Sequence, residues 1–393
     1  MLFSPQDKPT KRNSPQRRFS IALLLLLLGL ISAACFPEHP QSTFDTAGPV
    51  AKSQLDLFYI IFWVAVIVFV VVEGALLYAV VRYRRRKGQG IPAQTHGNTP
   101  LEIAWTIVPA LILAAVAVPT IMTIFDNART PDTEDTVYVS VTGHQWWWEF
   151  EYFDKSELDK EEADLKRVKS GTLKTQDVYQ PVPYVVTANE LHVPVGRPVG
   201  VILRSDDVIH SFWIPKLAGK VDLVPGNRNT MWFQADKAGE FLGQCGEFCG
   251  IAHAHMRFMV IAEDESEWNN WVDAQQAPPA APMELVFGIK GCAVCHSITG
   301  PDSVGTQDSR METFRTGGQS FPAPNLTHFA SRGTFAGGIV DRTDENVREW
   351  LRDPASVKPG NRMAELAGAY TNPKMALTDS DLTVLVNYLQ SLK

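Results

Sequence analysis

Cys245-Gly246-Glu247-Phe248-Cys249-Gly250-Ile251-Ala252-His253-Ala254-His255-Met256 is the stretch on which the rest of this chain turns. It brings two thiols, imidazole and a thioether together within twelve residues. Thiolate and thioether are soft ligands, and with imidazole they suit copper. A single-copper electron-transfer site uses one Cys with His. Cys245 and Cys249, with three residues between them, let both sulfurs bridge a pair of copper ions. Such a pair can share one unpaired electron, so that gaining or losing an electron changes little geometry. A second His must then come from elsewhere. Zinc and a disulfide are the other readings, although a closing Met is unusual for zinc.

A second motif follows at Gly291-Cys292-Ala293-Val294-Cys295-His296. Cys-x-x-Cys-His is the attachment signature of c-type haem. Cys292 and Cys295 bond to the haem vinyl groups and His296 is the proximal iron ligand. A bare Cys-x-x-Cys also suits a redox disulfide or half a zinc site; the adjacent His and the helical tail favour haem. A distal Met raises the potential of such a haem, and Met363 and Met375 are the candidates. Met375 stands two residues before Leu377, where the last helix begins, so core packing is its plainer reading.

At 393 residues there is room for two or three domains, and a net charge of −7 gives no reason to expect nucleic acid. The five cysteines, Cys35 among them, fall in motifs of their own and leave none for a disulfide framework. Residues 1–35 have the charged, apolar and small-residue parts of a secretory signal. Cys35 after Ser32-Ala33-Ala34 resembles a lipoprotein cleavage site; ordinary cleavage nearby is the alternative.

Leu57–Val81, interrupted by Glu73, and a second apolar run over 103–125 with Pro109 and Pro119 are each long enough to cross a bilayer. The basic run Arg82-Tyr83-Arg84-Arg85-Arg86-Lys87 marks the cytoplasmic side. A helical hairpin over 53–126 results, with both ends outside. Glu73 is expected to face a packed helix interface or the core of a membrane partner rather than lipid, since a lipid-facing carboxylate is costly.

From Val137 the pattern turns β-like, and strands are expected at 184–188, 199–204, 230–234 and 257–262, in a β-sandwich or barrel over 136–272. Neighbours on a strand point to opposite faces, so Trp146, Trp147 and Trp148 cannot all be core and some must be exposed or lie at an interface. The Lys- and Glu-rich segment 153–183 predicts a solvated loop with at most a helical turn. Residues 273–283 make a Pro/Ala linker. Over 284–393, helices are expected at 344–352 and 378–392, with a surface loop at 301–320.

The stretch Gln244–Met256 resembles the dinuclear copper A motif of cytochrome c oxidase subunit II. Val208–Pro215, Ala188–Arg197 and Gly143-His144-Gln145-Trp146 resemble the same family, over about residues 53–272. Lys358-Pro359-Gly360-Asn361-Arg362-Met363 resembles the cytochrome c loop that delivers the axial Met, and Ala323–Thr327 the segment that flanks the proximal His. The resemblance implies a multidomain chain: a two-helix transmembrane hairpin, an all-β cupredoxin-like Greek-key barrel and a C-terminal all-α cytochrome c domain. It implies copper ligation by His210, Cys245, Cys249, His253 and Met256 and by the Glu247 carbonyl, with His210 hanging from a loop. It further implies a magnesium or manganese ion shared with subunit I through the Glu247 carboxylate. Trp146 would receive electrons, and Glu102 would stand at the mouth of a proton pathway. The haem would be held by Cys292, Cys295, His296 and Met363. The implied assembly is a caa-type oxidase in a bacterial plasma membrane, with subunits I and III and with cytochrome c or another complex as donor. A quinol oxidase subunit II, a membrane-tethered carrier and a copper-containing nitric oxide reductase subunit are the rivals. The copper ligands, the haem module and the two-helix hairpin weigh against them.

Overall fold

The computed structural model describes residues 39–85, 90, 94, 96–298 and 323–393, together with Leu23, Leu26 and Gly29. Cys35 and the loop expected at 301–320 lie outside the described residues, as do Arg86 and Lys87 and, but for those three residues, the signal segment.

Two long helices open the described chain: α1 over Pro49–Arg82 and α2 over Thr99–Asn127. Each is longer than its apolar run and carries that run on an exposed surface. Ser53 near the start of α1 donates to Asn127 at the end of α2 (3.0 Å), so the two helices form an antiparallel hairpin. Asn98 and Glu102 cap α2 reciprocally: the Asn98 side chain accepts from the Leu101 N–H, and the Glu102 carboxylate from the Asn98 N–H. The start of α1 is fixed to the β domain. Ala47 and Ala51 donate to the Lys216 and Leu217 carbonyls, and Gly48 presses so close to the Gln234 carbonyl that a Cβ would collide with it.

The β domain is two five-stranded sheets. Strands β1 (Val137–His144), β2 (Trp147–Phe153), β3 (Val185–Ala188), β4 (Glu190–Pro194), β5 (Val199–Ser205), β6 (His210–Trp213), β7 (Lys220–Leu223), β8 (Asn229–Phe233), β9 (Gly239–Cys245) and β10 (Arg257–Glu263) build it. One sheet has the order β3-β2-β1-β5-β8 and the other β4-β10-β9-β6-β7. The β1–β5 and β10–β4 pairs are parallel, so the chain crosses between the sheets rather than meandering. Phe150, Phe212, Phe233 and Phe258 fill the space between the sheets, with Trp148 and Leu191. His210 opens β6 instead of hanging from a loop, and Cys245 closes the neighbouring β9.

The segment expected to be a loop at 153–183 holds a fifteen-residue helix, α3 (Lys155–Lys169). It lacks an apolar stripe beyond Leu158 and is held instead by charge. Glu157–Lys160, Asp164–Arg167 and Glu162–Lys166 pair along it, and buried Glu161 binds Arg204 and faces Arg228. Helix α4 (Glu265–Gln276) closes the domain through Trp268 and Trp271 and runs into the stretch expected as linker.

The C-terminal domain comprises short helices α5 (Leu285–Ile289) and α6 (Cys292–Cys295), a two-stranded ribbon β11 (Thr334–Phe335) and β12 (Val340–Asp341), and helices α7 to α11. These are α7 (Asp344–Arg352), α8 (Pro354–Val357), α9 (Arg362–Leu366), α10 (Gly368–Thr371) and α11 (Asp379–Ser391). A capping box between Thr378 and Asp381 starts α11, whose Leu382, Leu385 and Leu389 pack with Val347 and Leu351 of α7.

In the sheet β4-β10-β9-β6-β7, Gly243 faces Phe258 across β9 and β10, and the Phe258 ring stacks on Phe212 at 4.5 Å. A Cβ at Gly243 would enter that ring. Gly243→Ala is therefore expected to destabilise the β domain by about 1–3 kcal/mol through overpacking, read as a lower thermal midpoint. An unchanged midpoint would show that the aromatic stack yields freely.

Candidate metal centre and haem cleft

Strands β6 and β9 are neighbours, with Phe212 opposite Cys245, so His210 and Cys245 arrive at the same end of one sheet. The loop from Gly246 to Met256 then folds back over that end. Cys245 donates its N–H to the Met256 carbonyl (2.9 Å) and Gly246 to the Ser211 carbonyl (2.8 Å), which ties down both ends of the loop. The sulfurs of Cys245 and Cys249 stand 3.7 Å apart, far beyond the ~2.05 Å of a disulfide. Around them are His210 Nδ1 at 3.8 Å from Cys245, His253 Nδ1 at 3.5 Å and Met256 Sδ at 3.8 Å from Cys249, and the Glu247 carbonyl at 3.2 Å from Cys245. His210, both cysteines and Met256 are buried. This donor set is soft, close and withdrawn from water, and it fits copper.

A second layer orients the first. Asp207 accepts from His210 Nε2 (2.8 Å) and from the Val208 and Gln145 N–H groups, leaving Nδ1 to face the sulfurs. Burial works against the Asp207 carboxylate, but those hydrogen bonds hold it below its ordinary pKa. Beside it, a Cβ on Gly143 would meet the His210 ring at 2.8 Å, which gives the glycine of Gly143-His144-Gln145-Trp146 a reason. The Glu247 carboxylate is exposed and accepts from the Phe248 N–H (3.2 Å).

The C-terminal domain holds an apolar cleft whose walls include Cys292, Cys295, His296, Leu385 and Met363. His296 donates Nδ1–H to the Pro324 carbonyl (2.8 Å), which directs Nε2 elsewhere. Burial lowers the pKa of His296, which favours the neutral ring that metal binding needs. Burial also pushes the Cys292 thiol up to about 11. Met375 is absent from the cleft wall; its methyl and sulfur lie against Gly291 and Gly368. Two free cysteines, an anchored His and an apolar cleft with Met363 in its wall fit a haem c.

All three tryptophans are buried: Trp146 is 9%, Trp147 8% and Trp148 0% exposed. Trp148 points between the two sheets beside Phe212 and Phe258 and belongs to the core. Trp147 points the other way and stacks on His144 at 4.2 Å. Trp146 and Trp147 both line the haem cleft, so the second domain covers them. Alternation holds for Trp147 and Trp148 on β2, whereas Trp146 lies in the turn before that strand and is covered from the cleft side. Trp146 donates its indole N–H to the Cys249 carbonyl (3.0 Å), and the Gln145 amide donates to the same oxygen (2.7 Å). Gln145 in turn accepts from Arg362, the residue before Met363 (2.8 Å).

What joins the two domains was missed in the sequence, because the joining residues are far apart in the chain. Lys358 donates to the Trp146 carbonyl (2.6 Å) and the Ala336 carbonyl (3.0 Å), and burial pushes its amine down to about 7. Glu102 lies apart from all of this, at the opposite end of α2 from the residues that adjoin the β domain.

Three family descriptions match in order: cytochrome c oxidase subunit II, transmembrane domain, over 38–123; cytochrome c oxidase subunit II, periplasmic domain, over 137–263; and cytochrome c over 284–393. Cytochrome c oxidase subunit 2 of Alkalihalophilus pseudofirmus is 36% identical, covering 94% of this chain and 96% of its own length. That of Bacillus subtilis is 34% identical over 96% and 98%. The crystal structure of the periplasmic domain of subunit II of cytochrome oxidase from Bradyrhizobium japonicum is 26% identical, covers 37% of this chain and 96% of that one, and superposes with a TM-score of 0.28. A membrane hairpin, a periplasmic copper A domain and a haem-binding domain thus follow one another in a chain that belongs to the cytochrome c oxidase subunit II family, in its form with a C-terminal cytochrome c domain.

Proposed function

We propose that this chain is the electron-input subunit of a caa-type haem–copper oxidase in a bacterial plasma membrane. Electrons from a cytochrome c or another donor complex reach the haem domain, pass to a dinuclear copper centre and leave for subunit I, where oxygen is reduced with proton translocation. One observation carries this reading: the Cys249 carbonyl is hydrogen-bonded to Trp146 and Gln145 on the face that lines the haem cleft.

His210, Cys245, Cys249, His253 and Met256 hold the two copper ions by side chain, and Glu247 by its carbonyl. Bound there, the pair supplies a one-electron carrier with its charge shared over both ions. Asp207 holds the His210 ring in the ligating tautomer. Cys292 and Cys295 would anchor a haem c and His296 and Met363 would hold its iron, with His296 oriented by the Pro324 carbonyl. Trp146 bridges the haem side to the Cys249 carbonyl. Glu102 stands at the cytoplasmic end of α2 as the mouth of a proton path into subunit I, and the exposed Glu247 carboxylate reaches a magnesium or manganese ion at that same partner. Subunit III completes the assembly. The copper and haem domains face the periplasm.

Copper-loaded protein should bind two copper ions per chain and show a seven-line electron spin resonance pattern; a four-line pattern with one copper would overturn the dinuclear assignment. Cys249→Ser should abolish the shared-valence signal, since a hydroxyl is no soft bridging donor. Asp207→Ala should weaken copper binding about 10–100-fold with the apoprotein still folded, measured by competition with a copper chelator. Met363→Ala should remove the thioether–iron band in the near infrared and lower the haem potential, whereas Met375→Ala should leave both in place. The reverse outcome would reassign the axial ligand.

A further inference from the structure

Each domain sends one buried polar side chain into the backbone of the other. From the copper domain, the carboxylate of Glu190 in β4 accepts from the Gly333 N–H (3.0 Å), the Thr334 N–H (2.6 Å) and the Thr334 hydroxyl (2.7 Å). From the haem domain, the amine of Lys358 donates to the Trp146 carbonyl (2.6 Å). Glu190 is 1% and Lys358 3% exposed. Buried polar groups are expensive unless satisfied, and here the partners come from across the interface.

The segment between these contacts is shaped for close approach. Ala336, Gly337 and Gly338 have φ of 55°, 83° and 70°, three left-handed residues in succession. The Gly337 carbonyl accepts from the Arg257 N–H (2.9 Å), at the start of β10 beside the copper loop. A Cβ on Gly337 would strike Lys358 Nζ and would lie 2.9 Å from the His255 carbonyl and 3.1 Å from that of Trp146. One on Gly338 would meet the Arg257 backbone. Backbone therefore lies on backbone, and Lys358 threads past Gly337 to reach Trp146.

We propose that Glu190 and Lys358 are positioning residues which together lock the haem domain onto the copper domain in one pose. A purely apolar contact could slide or rotate. Here any other pose leaves a buried carboxylate without its three donors, or the Lys358 amine with only the Ala336 carbonyl of its own domain, so the pair sets orientation rather than adding affinity. The relevance of that pose to electron transfer rests on the proposed function; the lock itself does not.

The full-length chain, carrying haem and copper, is compared with its variants by hydrogen–deuterium exchange. Glu190→Gln and Lys358→Met should each speed exchange in peptides covering Arg257 and Gly333–Thr334 by about tenfold, with β1 and α11 exchanging as in the wild type. Thr334→Val, which removes a single hydroxyl contact, should speed it about threefold. Flash-induced electron transfer from haem to copper should slow in the first two variants with the absorption spectra of both centres unchanged. Unchanged exchange at Arg257, Gly333 and Thr334 in the double variant Glu190→Gln/Lys358→Met would overturn the proposal. So would equally accelerated exchange in β1 and α11, which would make these residues ordinary contributors to folding. A chain that binds neither copper nor haem would count against the proposed function and leave the exchange result standing.

Discussion

The carbonyl of Cys249 accepts two hydrogen bonds, from the indole of Trp146 and the amide of Gln145. Much of the molecule depends on that oxygen. On one side of the same residue is the sulfur, 3.7 Å from that of Cys245. On the other side are two residues already engaged by the haem domain, Trp146 through Lys358 and Gln145 through Arg362. A shift of the Gly246–Met256 loop would disturb both sets of contacts. The loop is accordingly pinned to strand ends by Cys245 and Gly246, and the His210 ring is pinned by Asp207. The site is rigid because its ligands sit at the ends of neighbouring strands, with hydrogen-bonded partners behind them.

Most of the proposed chemistry was legible in the sequence because all of its ligands but His210 and Met363 are local. Cys245 through Met256 form one continuous stretch, and Cys292, Cys295 and His296 another, so spacing alone announces them. The helices at Asp344–Arg352 and Asp379–Ser391 were legible for the same reason, since periodicity acts within a few residues. What escaped was of two kinds. Helix α3 has no apolar stripe, and its anchor, Glu161 on Arg204 and Arg228, joins residues from three separate parts of the chain. The burial of Trp146 and Trp147 was hidden because it comes from another domain, through partners such as Lys358 that lie more than two hundred positions away. Strand alternation correctly assigns faces; it says nothing of what covers the outer one.

The membrane hairpin is tied to this arrangement as firmly as the haem domain is. Ala47 and Ala51 donate into the 216–217 backbone and Ala47 accepts from Asp236, while Gly48 leaves no room for a side chain against Gln234. The first turn of α1 is thus part of the β domain. The copper loop has a set height and heading above the bilayer, which a flexible stalk would not give it.

The cover over Trp146 also changes the kinetic order of electron delivery. A ring left open to solvent would be served by collision, at a rate set by how many carriers diffuse past and how salt screens their approach. With the ring 9% exposed beneath its own haem domain, the entry step proposed for Trp146 would be first order. Its rate is then a property of one molecule, the same in a dilute periplasm as in a crowded one. Traffic with mobile carriers moves outward, to whatever part of the haem domain stays open to solvent.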